Sequence, residues 1–168
     1  LIAGGTDLLP NLKHRIEKAS TVVSLQRVQS LHGIHETEEG LTIGAMTSLS
    51  EMASSTAVSE RYPALATAAR TIATSTIQEM GTIGGNVMLD TRCRYLNQPA
   101  GWRKAIGGCL KCDGNVCHVA QTSHNCYAAH SADTVPVLWL MGATLELHSV
   151  SGERHIQLSD LYKTDGID

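Results

Sequence analysis

The pattern of apolar and polar positions at the start of the chain predicts a strand, a tight turn and a helix. The apolar tripeptide Leu1–Ala3 precedes a glycine pair and the run TDLLP. Asp7 can cap the following helix, whose first turn tolerates Pro10. Further along, the β-branched stretch Ser20–Leu25 predicts a short strand.

Two segments alternate between apolar and polar residues on both sides of a turn signal, which is typical of β-hairpins. The first covers residues 31–46 and is expected to turn near Glu39-Gly40. The second joins residues 143–150 to residues 154–158 across a Ser-Gly pair.

Helical spacing of apolar residues predicts three short helices. The first, Ser48–Ser54, starts on a serine that can cap it, and Tyr62–Ala73 has a proline in its first turn. A third helix is expected over Ser131–Ala143, ending at Gly142. Between them, Gln78–Met88 contains too many glycines for a regular element. The predicted fold class is α+β, in two lobes, interrupted by an insertion at about residues 90–130.

Composition and charge exclude some function classes. The net charge is −3 without a basic block, so nucleic acid is not expected as a partner. The longest apolar run, residues 135–143, is too short to cross a bilayer, so a membrane is not expected either. The two ends read as internal to a longer polypeptide, so the chain is interpreted as one domain, 1–168, truncated at both ends.

Two glycine loops are candidate ligand sites. Gly4 and Gly5 lie between the first strand and helix, where backbone N–H groups can hold an anion such as a pyrophosphate. A second loop, Gly81–Asn86, has the same mixture of glycine, threonine and a polar side chain. Together the two loops suit the two ends of a dinucleotide, whereas either loop alone is also explained as a plain turn.

All five cysteines fall in the insertion, with the spacing Cys93-x15-Cys109-x2-Cys112-x4-Cys117-x8-Cys126. Disulfides suit a secreted chain in an oxidising compartment, whereas a cytoplasmic location is expected here. Zinc could bind the short pair Cys109 and Cys112 with two further ligands, for which His118, His124 and His130 are also available. An iron–sulfur cluster needs four thiolates that converge. The spacing alone leaves zinc and a cluster open.

The motifs AGGTDLLP, IGAMTSLSEM, GTIGGNVM and SADTVPVLWLMGATLEL, in this order, resemble the FAD-binding subunit of the molybdenum hydroxylase (xanthine dehydrogenase) family. The resemblance covers nearly the whole chain outside the insertion. It implies that the first loop holds the FAD pyrophosphate and that the second lines the flavin site. The residues so implicated are Ile2, Ala3, Gly4, Gly5, Thr6, Asp7, Leu8, Thr82, Gly85, Asn86 and Asp133.

The cysteine insertion resembles the one carried by the 4-hydroxybenzoyl-CoA reductase branch of this family. That resemblance implies a [4Fe-4S] cluster held by Cys93, Cys109, Cys117 and Cys126. It leaves Cys112 as a spare thiol near the cluster.

The same resemblance implies an electron-transfer role. The partners it implies are a molybdopterin-binding subunit that holds the substrate, a [2Fe-2S] subunit, and ferredoxin as the electron donor. No residue set in the sequence is convincing for catalysis on the substrate itself. The implied reaction of the complex is the reductive removal of the phenolic hydroxyl of 4-hydroxybenzoyl-CoA.

Overall fold

The computed structural model describes residues 1–162, 165 and 167, which form short helices and two hairpins. The α-helices are α1 Leu8–Lys13, α2 Leu49–Ser54, α3 Thr56–Arg61, α4 Pro63–Thr71, α5 Ser75–Met80, α6 Ile83–Val87, α7 Ala100–Ala105 and α8 Val135–Leu140. The strands are β1 Ile34–Glu36, β2 Leu41–Ile43, β3 Thr144–Ser149 and β4 Gly152–Gln157, and 3-10 turns lie at Gln29–Leu31 and Leu158–Leu161. The predicted α+β class is confirmed. Within the described residues, every helix is too short to cross a bilayer.

The chain forms two compact units. The first comprises Leu1–Pro10, Ala19–Leu89 and Ala132–Leu138, and the second comprises Asn11–Lys18, Asp90–Ser131 and Trp139–Asp168. Every residue that the sequence implicates in FAD binding falls in the first unit. Every cysteine falls in the second, together with the whole predicted insertion.

An apolar core organises the first unit around α2, α3 and α4. Met52 and Val58 are fully buried, and Leu65 is nearly so. The helix starts are those predicted: the Ser48 side chain accepts a hydrogen bond from the Glu51 N–H at 3.0 Å, and Pro63 stands at the first position of α4. Capping and helical periodicity therefore locate these helices correctly.

Both predicted hairpins are confirmed. In the first, β1 and β2 are antiparallel, with Ile34 opposite Ile43, and the turn is closed by reciprocal backbone hydrogen bonds between Thr37 and Gly40. In the second, β3 and β4 pair over their full length, from Thr144 opposite Gln157 to Ser149 opposite Gly152.

Three predictions of local structure were wrong, and a fourth was too long. The strands predicted at Leu1–Ala3 and at Ser20–Leu25 are reduced to one isolated parallel bridge between Ile2 and Ser24, so neither forms a strand. The segment Gln78–Met88 is largely helical, in the end of α5 and in α6, because packing can override the low helix propensity of glycine. The helix predicted over Ser131–Ala143 is confirmed at its centre, where α8 lies.

The second unit has little apolar core. Among the described hydrophobic residues that are buried, this unit contributes only Cys117 and Leu158. The two ends of its cysteine segment lie side by side, because Arg92 and Ala129 exchange backbone hydrogen bonds of 2.7 Å. A segment whose ends meet in this way can be inserted into a parent fold without separating the elements on either side.

The core of the first unit gives a stability prediction. Met52→Ala removes a fully buried side chain from α2, a helix that packs against α4. The free energy of unfolding is expected to fall by about 2–5 kcal/mol, the usual cost of a large-to-small change in a packed core. Urea unfolding measures this difference.

The matched control is Met88→Ala, where the same atoms are removed from a side chain that is 69% exposed. Its effect is expected to stay within about 0.5 kcal/mol. Equal losses in the two variants would contradict the placement of the core.

Candidate cofactor-binding sites

The two glycine loops lie against each other in the first unit. A Cβ on Gly4 would stand 1.7 Å from the carbonyl oxygen of Met80, so only glycine allows this approach. Across the same contact, a Cβ on Gly85 would lie 3.8 Å from the Cβ of Ala3. The loops that the sequence separates by some eighty residues thus form one surface.

The first loop makes a tight turn. Gly5 has a φ of +73°, in the left-handed region that favours glycine. Before the turn, Ile2 donates its N–H to Val23 at 2.9 Å and accepts from the Leu25 N–H at 3.0 Å. On the other side, Leu8 begins α1. All the residues that the sequence implicates here, 2–8, are half-buried, so part of each remains accessible.

The second loop is the start of helix α6. The hydroxyl of Thr82 caps this helix by accepting the Gly85 N–H at 3.1 Å. A Cβ on Gly84 would meet the carbonyl oxygen and Cβ of Ala45 at 2.7 Å. This loop is therefore fixed by its cap and by a close backbone approach.

Asn86 has a structural task that the sequence did not indicate. It is buried, and its Oδ1 accepts hydrogen bonds from both the N–H of Thr134 at 3.2 Å and the hydroxyl of Thr134 at 2.6 Å. These two bonds hold the backbone directly after Asp133, whose own side chain is exposed. The structure thus links two of the implicated residues through Thr134.

The second candidate site is a cavity in the cysteine segment, called the thiol-lined cavity below. It is lined by Cys93, Tyr95, Leu96, Cys109, Leu110, Lys111, Cys117, His118, Val119, Cys126, Tyr127 and Ala128. All five cysteines of the chain are free thiols, and four of them line this cavity. The fifth, Cys112, is not among the lining residues. The division matches the one that the resemblance implies.

Turns and hydrogen bonds position the cysteines. Cys93 donates its N–H to the Asn97 side chain at 2.8 Å. In the same turn, the Asn97 N–H donates to the Cys93 carbonyl. Cys109 and Cys112 exchange two backbone hydrogen bonds, of 3.0 and 2.8 Å, across a tight turn. Gly108 supports this turn with a φ of +73°, where a Cβ would lie 2.4 Å from the Cys112 carbonyl oxygen.

Two of the sulfurs accept backbone hydrogen bonds. The pKa of the Cys117 thiol is lowered, mainly by the N–H of Ala120; burial opposes this effect, and two further backbone N–H groups add to it. The sulfur of Cys126 accepts the N–H of Ala128 at 3.4 Å. Such bonds stabilise a thiolate, which is the form that ligates metal.

Two polar residues of the cavity wall carry further interactions. Lys111 contacts Asp90 at 2.5 Å and Thr91 at 2.8 Å through its Nζ. His118 donates its Nε2–H to the carbonyl of Gly108 at 2.6 Å, and its ring packs against Tyr95 with centroids 5.2 Å apart. The sequence had indicated His118 as a residue of the cluster segment, whereas it gave no signal for Lys111 beyond the position between Cys109 and Cys112.

A separate polar cluster lies on the second hairpin. Glu146, His148 and Glu153 bring their ligand atoms within 4.8 Å of one another, and all three are exposed. His148 and Glu153 are cross-strand partners, while Glu146 is two residues away on the same face of β3. Each ring nitrogen of His148 faces a different carboxylate, at 2.8 and 3.0 Å. Strand pairing and ion pairing explain why these three side chains lie together.

Comparison with known proteins identifies the class. Residues 1–167 match the family described as the FAD binding domain in molybdopterin dehydrogenase. The chain therefore belongs to this family of FAD-binding domains, as the resemblance of its motifs led us to expect.

Two curated relatives are named as FAD-binding subunits. It is 31% identical over 172 residues to the aldehyde oxidoreductase FAD-binding subunit PaoB of Escherichia coli (strain K12), covering 98% of this chain and 54% of the relative. It is 26% identical over 167 residues to the xanthine dehydrogenase FAD-binding subunit of Escherichia coli O157:H7, covering 99% of this chain and 44% of the relative. The chain thus spans about half the length of these curated relatives.

A solved structure shares the fold. In the carbon monoxide dehydrogenase from Hydrogenophaga pseudoflava, a chain superposes with a TM-score of 0.65 at 25% identity, covering 94% of this chain and 42% of that chain.

The contact between the glycine loops gives a prediction. Gly4→Ala places a methyl group against the Met80 carbonyl, where there is no room for it, and should force the loops apart. Both the melting temperature and the FAD content after purification are expected to fall. Differential scanning calorimetry and flavin absorbance measure the two effects.

Gly101→Ala is the matched control, because a Cβ there meets nothing within 4 Å. This exposed helical position should tolerate alanine or gain slightly from its higher helix propensity. Full FAD content and unchanged stability in Gly4→Ala would show that the loops do not depend on their close approach.

Proposed function

We propose that this chain is the electron-transfer part of a molybdenum hydroxylase-type complex, and that it holds a [4Fe-4S] cluster in addition to FAD. The observation that carries the proposal is the division of the cysteines: Cys93, Cys109, Cys117 and Cys126 line one cavity, and Cys112 stands outside it. Four thiolates from irregular backbone are the usual ligand set of such a cluster.

The chemistry of the cavity fits this group in three respects. The donors are all sulfur, as a cluster requires. The sulfurs of Cys117 and Cys126 accept backbone N–H bonds, which favour the thiolate form. The surrounding unit buries few apolar side chains among its described residues, so metal ligation can supply the order that a hydrophobic core supplies elsewhere.

A zinc ion fits the thiol-lined cavity less well than an iron–sulfur cluster does. A zinc site built on the Cys109-x2-Cys112 pair needs both sulfurs at one ion, yet only Cys109 lines the cavity. Tetrahedral zinc holds its sulfurs about 3.8 Å apart, given a Zn–S distance of about 2.3 Å. In the described part of the chain, the one set of three potential ligands within 4.8 Å is on the second hairpin, and it contains no cysteine. Thiols spread around a cavity suit a polynuclear group.

FAD is proposed to bind the paired glycine loops of the first unit. In this proposal the loop Ile2–Leu8 takes the pyrophosphate, because Gly5 gives a left-handed turn directly before α1. Thr82, Gly85 and Asn86 line the flavin, and Asp133 completes the site. The contact of Gly4 with Met80 supports a shared site, since it brings the two loops together.

The chain supplies binding and electronic tuning rather than substrate chemistry. Bound FAD and a bound cluster provide two-electron and one-electron redox chemistry, respectively. The proposed partners are a molybdopterin-binding subunit, a [2Fe-2S] subunit and a low-potential donor such as ferredoxin. Five free thiols in one segment suit a reducing compartment such as the cytoplasm.

For the substrate, the resemblance of the cysteine insertion leads us to propose reductive dehydroxylation of 4-hydroxybenzoyl-CoA to benzoyl-CoA. A second candidate is oxidation of an aldehyde, which the 31% identity to an aldehyde oxidoreductase FAD-binding subunit favours. In both cases the substrate binds on another subunit, so the whole complex is needed to decide.

The cluster proposal predicts different outcomes for the five cysteines. Serine in place of Cys93, Cys109, Cys117 or Cys126 should lower iron and acid-labile sulfide together, because each removes one ligand. Cys112→Ser is the matched control and should keep both. The measurement is iron, sulfide and zinc for the five single variants, made anaerobically in the complete subunit.

Two results would contradict this ligand set. Loss of iron in Cys112→Ser with retention in Cys93→Ser would place the ligands in the compact group from Cys109 to Cys126. Zinc without sulfide, lost equally in the Cys109 and Cys112 variants, would replace the cluster by a zinc site.

The proposal that this chain transfers electrons while another subunit binds the substrate predicts which preparation is active. The complex with its partner subunits should consume 4-hydroxybenzoyl-CoA when given a reduced low-potential donor, and the isolated chain should consume none. Aldehyde oxidation by the complex without dehydroxylation would select the second candidate. Turnover of either substrate by the isolated chain would overturn the electron-transfer role.

A further inference from the structure

Lys111 is a basic residue beside the thiol-lined cavity. It lies between Cys109 and Cys112 in sequence and is one of the lining residues. Its side chain is only 12% exposed, which is unusual for a lysine. The Nζ atom contacts Asp90 at 2.5 Å and Thr91 at 2.8 Å, so the ammonium is held in place by two partners.

The two partners of this ion pair differ in their exposure to water. Among the described residues that line the cavity, Lys111 is the one lysine, and none is an arginine, aspartate or glutamate. The Asp90 side chain is 69% exposed, so water screens it strongly. The lysine is shielded from water, and its field therefore reaches the cavity with less screening than that of its partner.

A cluster held by four thiolates is an anion, and reduction adds one more negative charge to it. A nearby cation stabilises the reduced form more than the oxidised form, which raises the reduction potential. A carboxylate has the opposite effect. Lysine and aspartate should therefore act on the potential with opposite signs.

We propose that Lys111, held by Asp90 and Thr91 at the wall of the thiol-lined cavity, raises the reduction potential of the cluster, and that Asp90 offsets part of this effect. This inference rests on the proposed function, since it needs a cluster in the cavity. Lys111 is a tuning residue rather than a ligand. The simpler alternative is an ion pair that only ties residues 90 and 91 to the cysteine turn.

The test is an EPR-monitored redox titration of the cluster in the assembled complex, at one fixed pH. Lys111→Met keeps a long apolar side chain and removes the charge, and should shift the potential to more negative values with iron and sulfide retained. Lys111→Arg should stay near the wild type. Lys104→Met is the matched control: it removes the same charge from an exposed residue of the same segment that does not line the cavity, and should shift the potential less.

The outcomes separate the tuning role from a structural one. An intact cluster in Lys111→Met with a shift no larger than in Lys104→Met would overturn the proposal. If Lys111→Met loses its iron, Asp90→Asn decides, because it keeps the ammonium and removes the offsetting charge. A more positive potential in that variant supports the proposal, and an unchanged or more negative one contradicts it. Wild-type complex without iron and sulfide would instead refute the cluster itself.

Discussion

The second unit has almost no apolar core, and ligation by its thiols is the constraint that we propose holds it together. Cys117 and Leu158 are the buried hydrophobic residues that it contributes among those described. A segment of this length cannot offset its conformational entropy with so little apolar burial. Backbone hydrogen bonds between Arg92 and Ala129 join the two ends of the cysteine segment, and hydrogen-bonded turns position Cys93 and Cys109. Ligation of a metal group by four of these sulfurs would complete the unit, as metal binding does in other small domains.

The first unit, in contrast, is held together by the packing of apolar side chains. Its core of buried aliphatic and methionine side chains fixes helices α2 to α4. The glycine loops are held at close range beside that core, and Gly4 tolerates the Met80 carbonyl only because it has no side chain. Rigid loops with exposed backbone are suited to hold a dinucleotide, since little order must be gained on binding. The candidate site of the first unit thus depends on apolar packing, whereas that of the second unit is proposed to depend on metal ligation.

Local signals in the sequence predicted much of the fold. The hairpins and helices α2 and α4 were found because turn residues, caps and periodicity act over a few neighbouring positions. Ser20–Leu25 was wrongly given as a strand, because β propensity does not reveal whether a partner strand exists. The helical turns within Gln78–Met88 were missed because their glycines pack against residues that are distant in the sequence. Gly84 lies against Ala45, and Gly81 lies against Leu49. The thiol ligand set came from resemblance, whereas the position of Lys111 against Asp90 required the three-dimensional structure.

The central claim is that the thiol-lined cavity holds a four-iron cluster. Mössbauer spectroscopy of the wild-type complex, grown on ⁵⁷Fe and purified anaerobically, tests it most directly. The account predicts a four-iron component, distinct from that of any two-iron centre and present at about one cluster per FAD. A spectrum without that component, in a protein that contains zinc in equal amount to FAD, would contradict it.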